Sequence, residues 1–176
     1  EGIDVTVVLK ARRALRANPT AAVAVPAETE QMLRRFSAEH DELRDTLGLL
    51  RDSADLLANA PDSTALQSVL TAHRLLVDRI LPHEQAEETQ LYPALARPLG
   101  GGEATATMSR THAEIQRLTD RIGAHAGVAE AAGAIQPDQV EDLLACLYGL
   151  YALLRLHFVQ EEENYFTLAE DAPEAI

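Results

Sequence analysis

Four stretches of this chain place apolar residues at intervals of three and four, and in each the stripe is interrupted, in phase, by histidine or by histidine with glutamate. The first runs Leu33, Phe36, His40, Leu43, Leu47, Leu50, Ala54, Leu57, and ends near Pro61. The second runs Leu66, Val69, His73, Leu76, Ile80, His83, Glu87, Leu91. The third is Met108, His112, Ile115, Leu118, Ile122, and the fourth is Val140, Leu143, Leu147, Leu150, Leu154, His157, Glu161, Leu168. A helix of 3.6 residues per turn lines such positions up on one face. Four such helices with short or modest connections bury their stripes together as an all-α, up-down-up-down four-helix bundle. No strand pattern and no nucleotide-binding glycine motif competes with this reading.

The punctuation fits four helices within residues 27–170. Asp62 or Ser63 is placed to cap the second helix, and Pro82 to kink or restart it immediately before His83. Pro98 and Gly100 to Gly102 end it, and the third helix begins near Glu103. The Gly- and Ala-rich stretch from Gly123 to Gln136 reads as a loop or frayed end, and Pro137 suits the first turn of the fourth helix. Residues 1–26 read as an N-terminal arm or linker, through which the domain would meet a protein partner or join a further domain; residues 171–176 form a tail. The first residue is Glu1, so the chain is expected to be a piece of something longer.

Charge narrows the partners. Fifteen Lys and Arg against 28 Asp and Glu leave a net −13, a surface that repels phosphate backbones and anionic lipid. Nucleic-acid and membrane partners are therefore not expected, nor is a membrane span of 18 or more apolar residues. With no basic-then-apolar leader, a cytoplasmic location is the expectation. Cys146 is the only cysteine, which excludes an internal disulfide; within its apolar run it reads as a buried, inert thiol.

The polar residues inside the stripes carry the chemistry. A buried imidazole needs a partner, and a buried carboxylate must be paired or bound to metal. His83 with Glu87, and His157 with Glu161, are four residues apart, so each pair points the same way from one helical turn. His40 and His112 add one imidazole each from the first and third helices. Four imidazoles and two carboxylates are too many for one tetrahedral zinc. They suit two ions, each with two imidazoles, sharing both carboxylates and an oxo or hydroxo bridge. Mixed nitrogen and oxygen ligation with open positions favours iron, with manganese next. Phe36 and Phe158 are expected to wall the pocket, with Tyr165 core or a donor beside it. Glu84, Glu88, Glu162 and Glu163 read as a solvated acidic face. His73, about 15 Å along the helix from His83, is too far to share its metal.

The motifs Ala38-Glu39-His40-Asp41-Glu42-Leu43, His83-Glu84-Gln85-Ala86-Glu87-Glu88 leading to Leu91-Tyr92-Pro93, Thr111-His112-Ala113-Glu114-Ile115 and His157-Phe158-Val159-Gln160-Glu161-Glu162 look familiar together. Over residues 31–168 the chain resembles the hemerythrin-like family of HHE cation-binding domains. The resemblance implies a non-haem di-iron centre with His40, His83, His112 and His157 as terminal ligands and Glu87 and Glu161 as bridges. Oxygen-carrying members have a further histidine four residues after the third-helix one; here that residue is Gln116. The pattern is that of the four-His, two-Glu variant, similar to repair-of-iron-centres proteins and iron-sensing hemerythrin-like domains.

Two functions fit these residues. In the first, the centre binds or reacts with a small oxidant such as oxygen, peroxide or nitric oxide. In the second, metal occupancy orders a non-catalytic sensing or interaction domain that regulates a partner. A ferritin-like carboxylate oxidase fits less well, because neither ligand pair has Glu-x-x-His spacing.

Overall fold

The structure, a computed structural model, describes residues 25–169. The arm expected over residues 1–26 lies outside them except for Val25 and Pro26, and so does the tail over 171–176. Four long helices fold into the expected bundle, and no strand occurs among the described residues.

Helix α1 spans Ala27–Asn59, with Glu28 and Glu30 in its first turn, where carboxylates complement the helix dipole. Helix α2, over residues 63–96, is composite. It begins as Ser63–Leu75, where Asp62 caps it by accepting the backbone N–H groups of Thr64 (2.8 Å) and Ala65 (3.0 Å). A wide π-helical turn follows at Leu76–Ile80, then α-helix at Leu81–Ala86, a second wide turn at Glu87–Leu91, and α-helix at Tyr92–Ala96. Pro82 therefore does not break the helix. Each wide turn closes with an N–H bonding five residues back, Leu81 to Leu76 and Tyr92 to Glu87. Pro82 and Pro93 each stand in the first turn of the segment that follows, directly after a wide turn.

Helix α3 spans Ala106–Ala132, preceded by a 3₁₀ turn at Gly102–Ala104. The loop expected from Gly123 is instead helix for two and a half more turns. Ile122, Ala126 and Ala129 keep the inward step and are buried, and the helix stops at Gly133, whose φ of 72° suits glycine. Gly123 marks close approach, since a Cβ there would lie 2.5 Å from Nε2 of His73. Helix α4, Pro137–Asn164, opens with a reciprocal cap between Gln136 and Gln139 and runs into a 3₁₀ turn, Phe166–Ala169. By length and composition alone the stretch Pro137–Ala169 is apolar enough to cross a membrane, although no run of 18 uninterrupted apolar residues occurs in it. In the bundle its Leu143, Leu147, Leu150 and Leu154 are buried.

Helix α1 packs against α2 and α4, and α3 against the same two. The helices bearing His-x-x-x-Glu thus lie on one diagonal, and those bearing a single histidine on the other. The core is in two parts. A long cluster runs from Leu57, Leu66 and Leu143 up to Leu43, Ile80, Ile115 and Leu154. A smaller one joins Leu33, Phe36, Leu91, Leu95, Met108 and Phe166. Between them, on every helix, sits a polar layer. Cys146 is buried and free.

Candidate metal centre

The polar layer is where the four stripes carry His40, His83, Glu87, His112, His157 and Glu161, all buried, with His40, Glu87, His157 and Glu161 fully enclosed. The structure brings these six side chains together. Nε2 of His40 and of His83 face Oε1 of Glu87 at 3.7 and 3.3 Å, while the other Glu87 oxygen lies 3.4 Å from Nε2 of His112. Glu87 thus turns one oxygen toward the His40–His83 side and the other toward the His112–His157 side. Oε2 of Glu161 lies 3.4 Å from Nε2 of His40 and 3.3 Å from Nε2 of His157, so it also touches both sides. Nε2 of His112 and of His157 are 2.8 Å apart.

Three of the imidazoles are held from behind by carboxylates. Nδ1 of His83 donates to Glu39 (2.9 Å), Nδ1 of His112 to Glu88 (2.9 Å) and Nδ1 of His40 to Glu162 (3.3 Å). Each bond crosses between helices, fixes the tautomer and aims Nε2 inward, the arrangement that metal-ligating histidines use. Glu88 also accepts from Ser109 (3.0 Å), and Glu162 from Arg44 (2.6 Å). Glu88 and Glu162 are therefore not a solvated face; they reach across helices to orient imidazoles.

Glu84 departs further from expectation. It is 3% exposed and enters the layer itself, bonded to Nε2 of His112 and lying 3.1 Å from Nε2 of His157. A signal was present: Ile80, Glu84, Glu87 and Leu91 step by four, three and four, as regularly as the set through His83. At about 100° per residue, Glu87 falls on the helical wheel between His83 and Glu84. Tyr92 also belongs here. It is buried, stacks on His112 with ring centroids 5.3 Å apart, and its hydroxyl donates to Oε1 of Glu161 and lies 3.2 Å from Nε2 of His112.

The walls are aromatic. Phe158 stacks on His40 at 3.9 Å between centroids, Phe36 meets His83 edge-on at 5.5 Å, and Phe166 meets His40 at 4.8 Å. Tyr165 packs on Tyr92, but its hydroxyl donates to the Ala104 carbonyl, 2.8 Å away, and so ties the end of α4 to the start of α3. Gln116 is exposed and donates to Asp120 (2.8 Å). His73 lies apart, against Gly123. His125, expected on a frayed end, bonds Asp142 at 2.6 Å.

Without a cation the layer holds protons. Burial opposes protonation of His40, but Glu161 and Glu87 outweigh it and raise its pKa to about 9. Burial likewise opposes His112, which Glu84 and Glu87 raise to about 10, and His83 is raised by Glu87 and Glu39 against its burial. The imidazoles lower Glu84, and hold Glu87 well below the usual carboxylate range, although burial pushes both up. Burial, then the Glu161 and Glu87 charges, keep the Tyr92 phenol protonated.

These protons do not satisfy the layer. Nε2 of His40 and His83, Oε1 of Glu84, both oxygens of Glu87 and Oε2 of Glu161 are buried with no hydrogen-bond partner. No Lys or Arg is buried among the described residues. Inward-aimed imidazoles and orphaned carboxylate oxygens fit divalent cations, since each is a lone-pair donor that a cation would satisfy at once. One set of potential ligand atoms on Glu84, Glu87, His112 and His157, and another on His40, His83 and Glu87, lie within 4.8 Å of one another.

A family model described as the hemerythrin HHE cation-binding domain matches residues 31–169. No curated protein and no solved structure matches the chain.

Proposed function

The chain belongs to the hemerythrin HHE cation-binding domain family, and from that premise we propose that its buried layer holds two iron ions and serves to bind or reduce a small oxidant. One ion would be held by His40 and His83, the other by His112 and His157, with Glu87 and Glu161 bridging. The observation that carries the reading is Glu87, whose two orphaned oxygens face different imidazole pairs. Bound iron would supply electrons and an open coordination position for oxygen, peroxide or nitric oxide.

The chain's own residues prepare that position. Glu39, Glu88 and Glu162 fix the imidazole rings. Phe36, Phe158 and the two leucine-rich clusters keep water from the layer. The Tyr92 hydroxyl donates to Glu161 and so orients one bridging carboxylate. A cavity of about 320 Å³ lined by Glu84, Glu88, Ser109, His112 and Gln116 adjoins the layer on the His112 side.

Protein expressed with iron and assayed for metal should carry about two irons per chain and show a ligand-to-metal absorption band on oxidation. Less than about one iron per chain, or no band, defeats the reading. The second reading, a domain regulated by metal occupancy, draws support from the polar layer separating two core clusters, which a cation would join. Inertness toward peroxide and nitric oxide, with metal-dependent folding, would favour it.

A further inference from the structure

We propose that the groove between α1 and α4 is a binding site for a small planar aromatic anion, a carboxylate or a phosphate ester, separate from the polar layer. The chain carries a net charge of −13. This groove nevertheless is lined by Arg44, Arg51 and Arg155, and no carboxylate lines it. The cavities beside α2 differ: one is lined by Glu84 and Glu88, the other by Glu39, Glu42 and Asp78 along with two arginines. Positive charge is thus gathered, against the overall balance, on one face of the bundle, where it attracts anions. Helical spacing produces the gathering. Arg44, Gly48 and Arg51 step by four and three along α1, and Tyr151, Arg155 and Val159 by four and four along α4.

The ring of Tyr151 stands between two cations from different helices: the guanidinium of Arg155 lies 5.5 Å from its centroid and that of Arg51 6.0 Å. Among the described residues Arg155 has no carboxylate partner; its one side-chain bond is to the Tyr151 hydroxyl, at 3.4 Å. Arg51 is half exposed and meets Asp52 and Asp55 only at 3.4 and 3.9 Å, which leaves most of its donors free. Arg44 is engaged by Glu162 at 2.6 Å and closes one end. A guanidinium offers a planar fork that fits a carboxylate or a phosphate, and the Tyr151 face offers a surface for a ring. The buried Leu47 and Phe158 form an apolar floor. At Gly48 the wall is open, since nothing lies within 4 Å of where a Cβ would stand. The volume, about 290 Å³, is at the small end for ligand pockets and holds one ring system with its anionic group.

The test is calorimetric titration of the whole chain with 2-naphthoate and, separately, with 2-naphthyl phosphate at low salt. The probes share ring and charge, so the tighter one tells carboxylate from phosphate. At least one should bind with a Kd of about 100 μM or tighter, and more weakly as salt is added. Arg51→Gln and Arg155→Gln should each weaken it at least about tenfold, while Arg97→Gln, outside the groove, should leave it unchanged. Gly48→Leu fills the open space with a better helix former than glycine, and should abolish binding with the circular dichroism spectrum retained. Nuclear Overhauser contacts should run from the naphthyl protons to the Tyr151 ring and the Val159 methyls. The proposal is overturned if neither probe binds more tightly than about 1 mM, or if affinity is the same in Arg51→Gln and Arg155→Gln. Equal affinity for the neutral 2-naphthamide overturns it as well. Tighter binding of a hexaglutamate peptide than of either probe also overturns it, and assigns the face to an acidic protein instead. None of these readouts depends on bound metal, so the result stands apart from the dinuclear reading.

Discussion

Metal and protons compete for the same nitrogens, and the competition has a size. His40 with a pKa of about 9 and His112 with one of about 10 are both imidazolium at neutral pH in the metal-free protein. Each must lose its proton before Nε2 can bind a cation. At pH 7 the neutral form is disfavoured about a hundredfold at His40 and about a thousandfold at His112, since each pH unit below a pKa is a factor of ten. The overall constant for taking up both ions should therefore rise about a hundredfold per pH unit between pH 7 and 9, more gently from 9 to 10, and level off above. His83, also raised, adds in the same direction. The assay is calorimetry with Mn²⁺ in buffers of matched pH and different ionisation enthalpies, which counts the protons released directly. About two or more protons per pair of ions is the expected result at pH 7.5. Release of fewer than about one, or an affinity flat between pH 6.5 and 8.5, would show that the imidazoles are not held protonated by Glu84, Glu87 and Glu161, and the electrostatic account of the layer would fall.

Three further outcomes are expected. The metal-free bundle should be most stable near pH 5 to 6: the raised His40, His83 and His112 contribute fully below about 6.5 and lose their contribution as pH rises through about 9 and 10, while the lowered Glu84 and Glu87 contribute above about 4.5 and lose theirs as pH falls through their folded values. Thermal melts across pH 4 to 10 in chelator check this, and a midpoint still rising above pH 8 would contradict it. Phe158→Ala, at a site 1% exposed, should cost about 3–5 kcal/mol in denaturant unfolding and free the His40 ring; a loss under about 1 kcal/mol would mean the stack is not a wall. Asp62→Ala removes the acceptor for two N–H groups and should cost about 1 kcal/mol, or about 2–4 °C in Tm, with metal content unchanged.

Much of this molecule is legible along the chain because a helix's inner face is a local property. The three-and-four step holds His40, His83, Glu87, His112, His157 and Glu161 in phase with leucines, and all six are buried where that phase puts them. Asp62 and Pro137 mark helix starts by their own chemistry, the one as acceptor for orphaned N–H groups, the other by lacking one. The extension of α3 beyond Gly123 escapes composition, because Gly and Ala there serve close packing: Gly123 admits His73, and Ala126 and Ala129 fit a tight interface.

Local periodicity therefore settles how many helices form and which residues each turns inward. Which imidazole meets which carboxylate belongs to the packed bundle, since distances between helices depend on how each is rotated about its axis. The wide turns around residues 76–80 and 87–91 contribute to that rotation, in a segment where His83, Glu84 and Glu87 all turn inward. Glu39, Glu88 and Glu162 reach across to a neighbouring helix's histidine, and Tyr92 to Glu161, through contacts separated by 24 to 122 residues of chain. A repeat of 3.6 residues carries no information about such distances; only the packing of four helices around one polar layer supplies it.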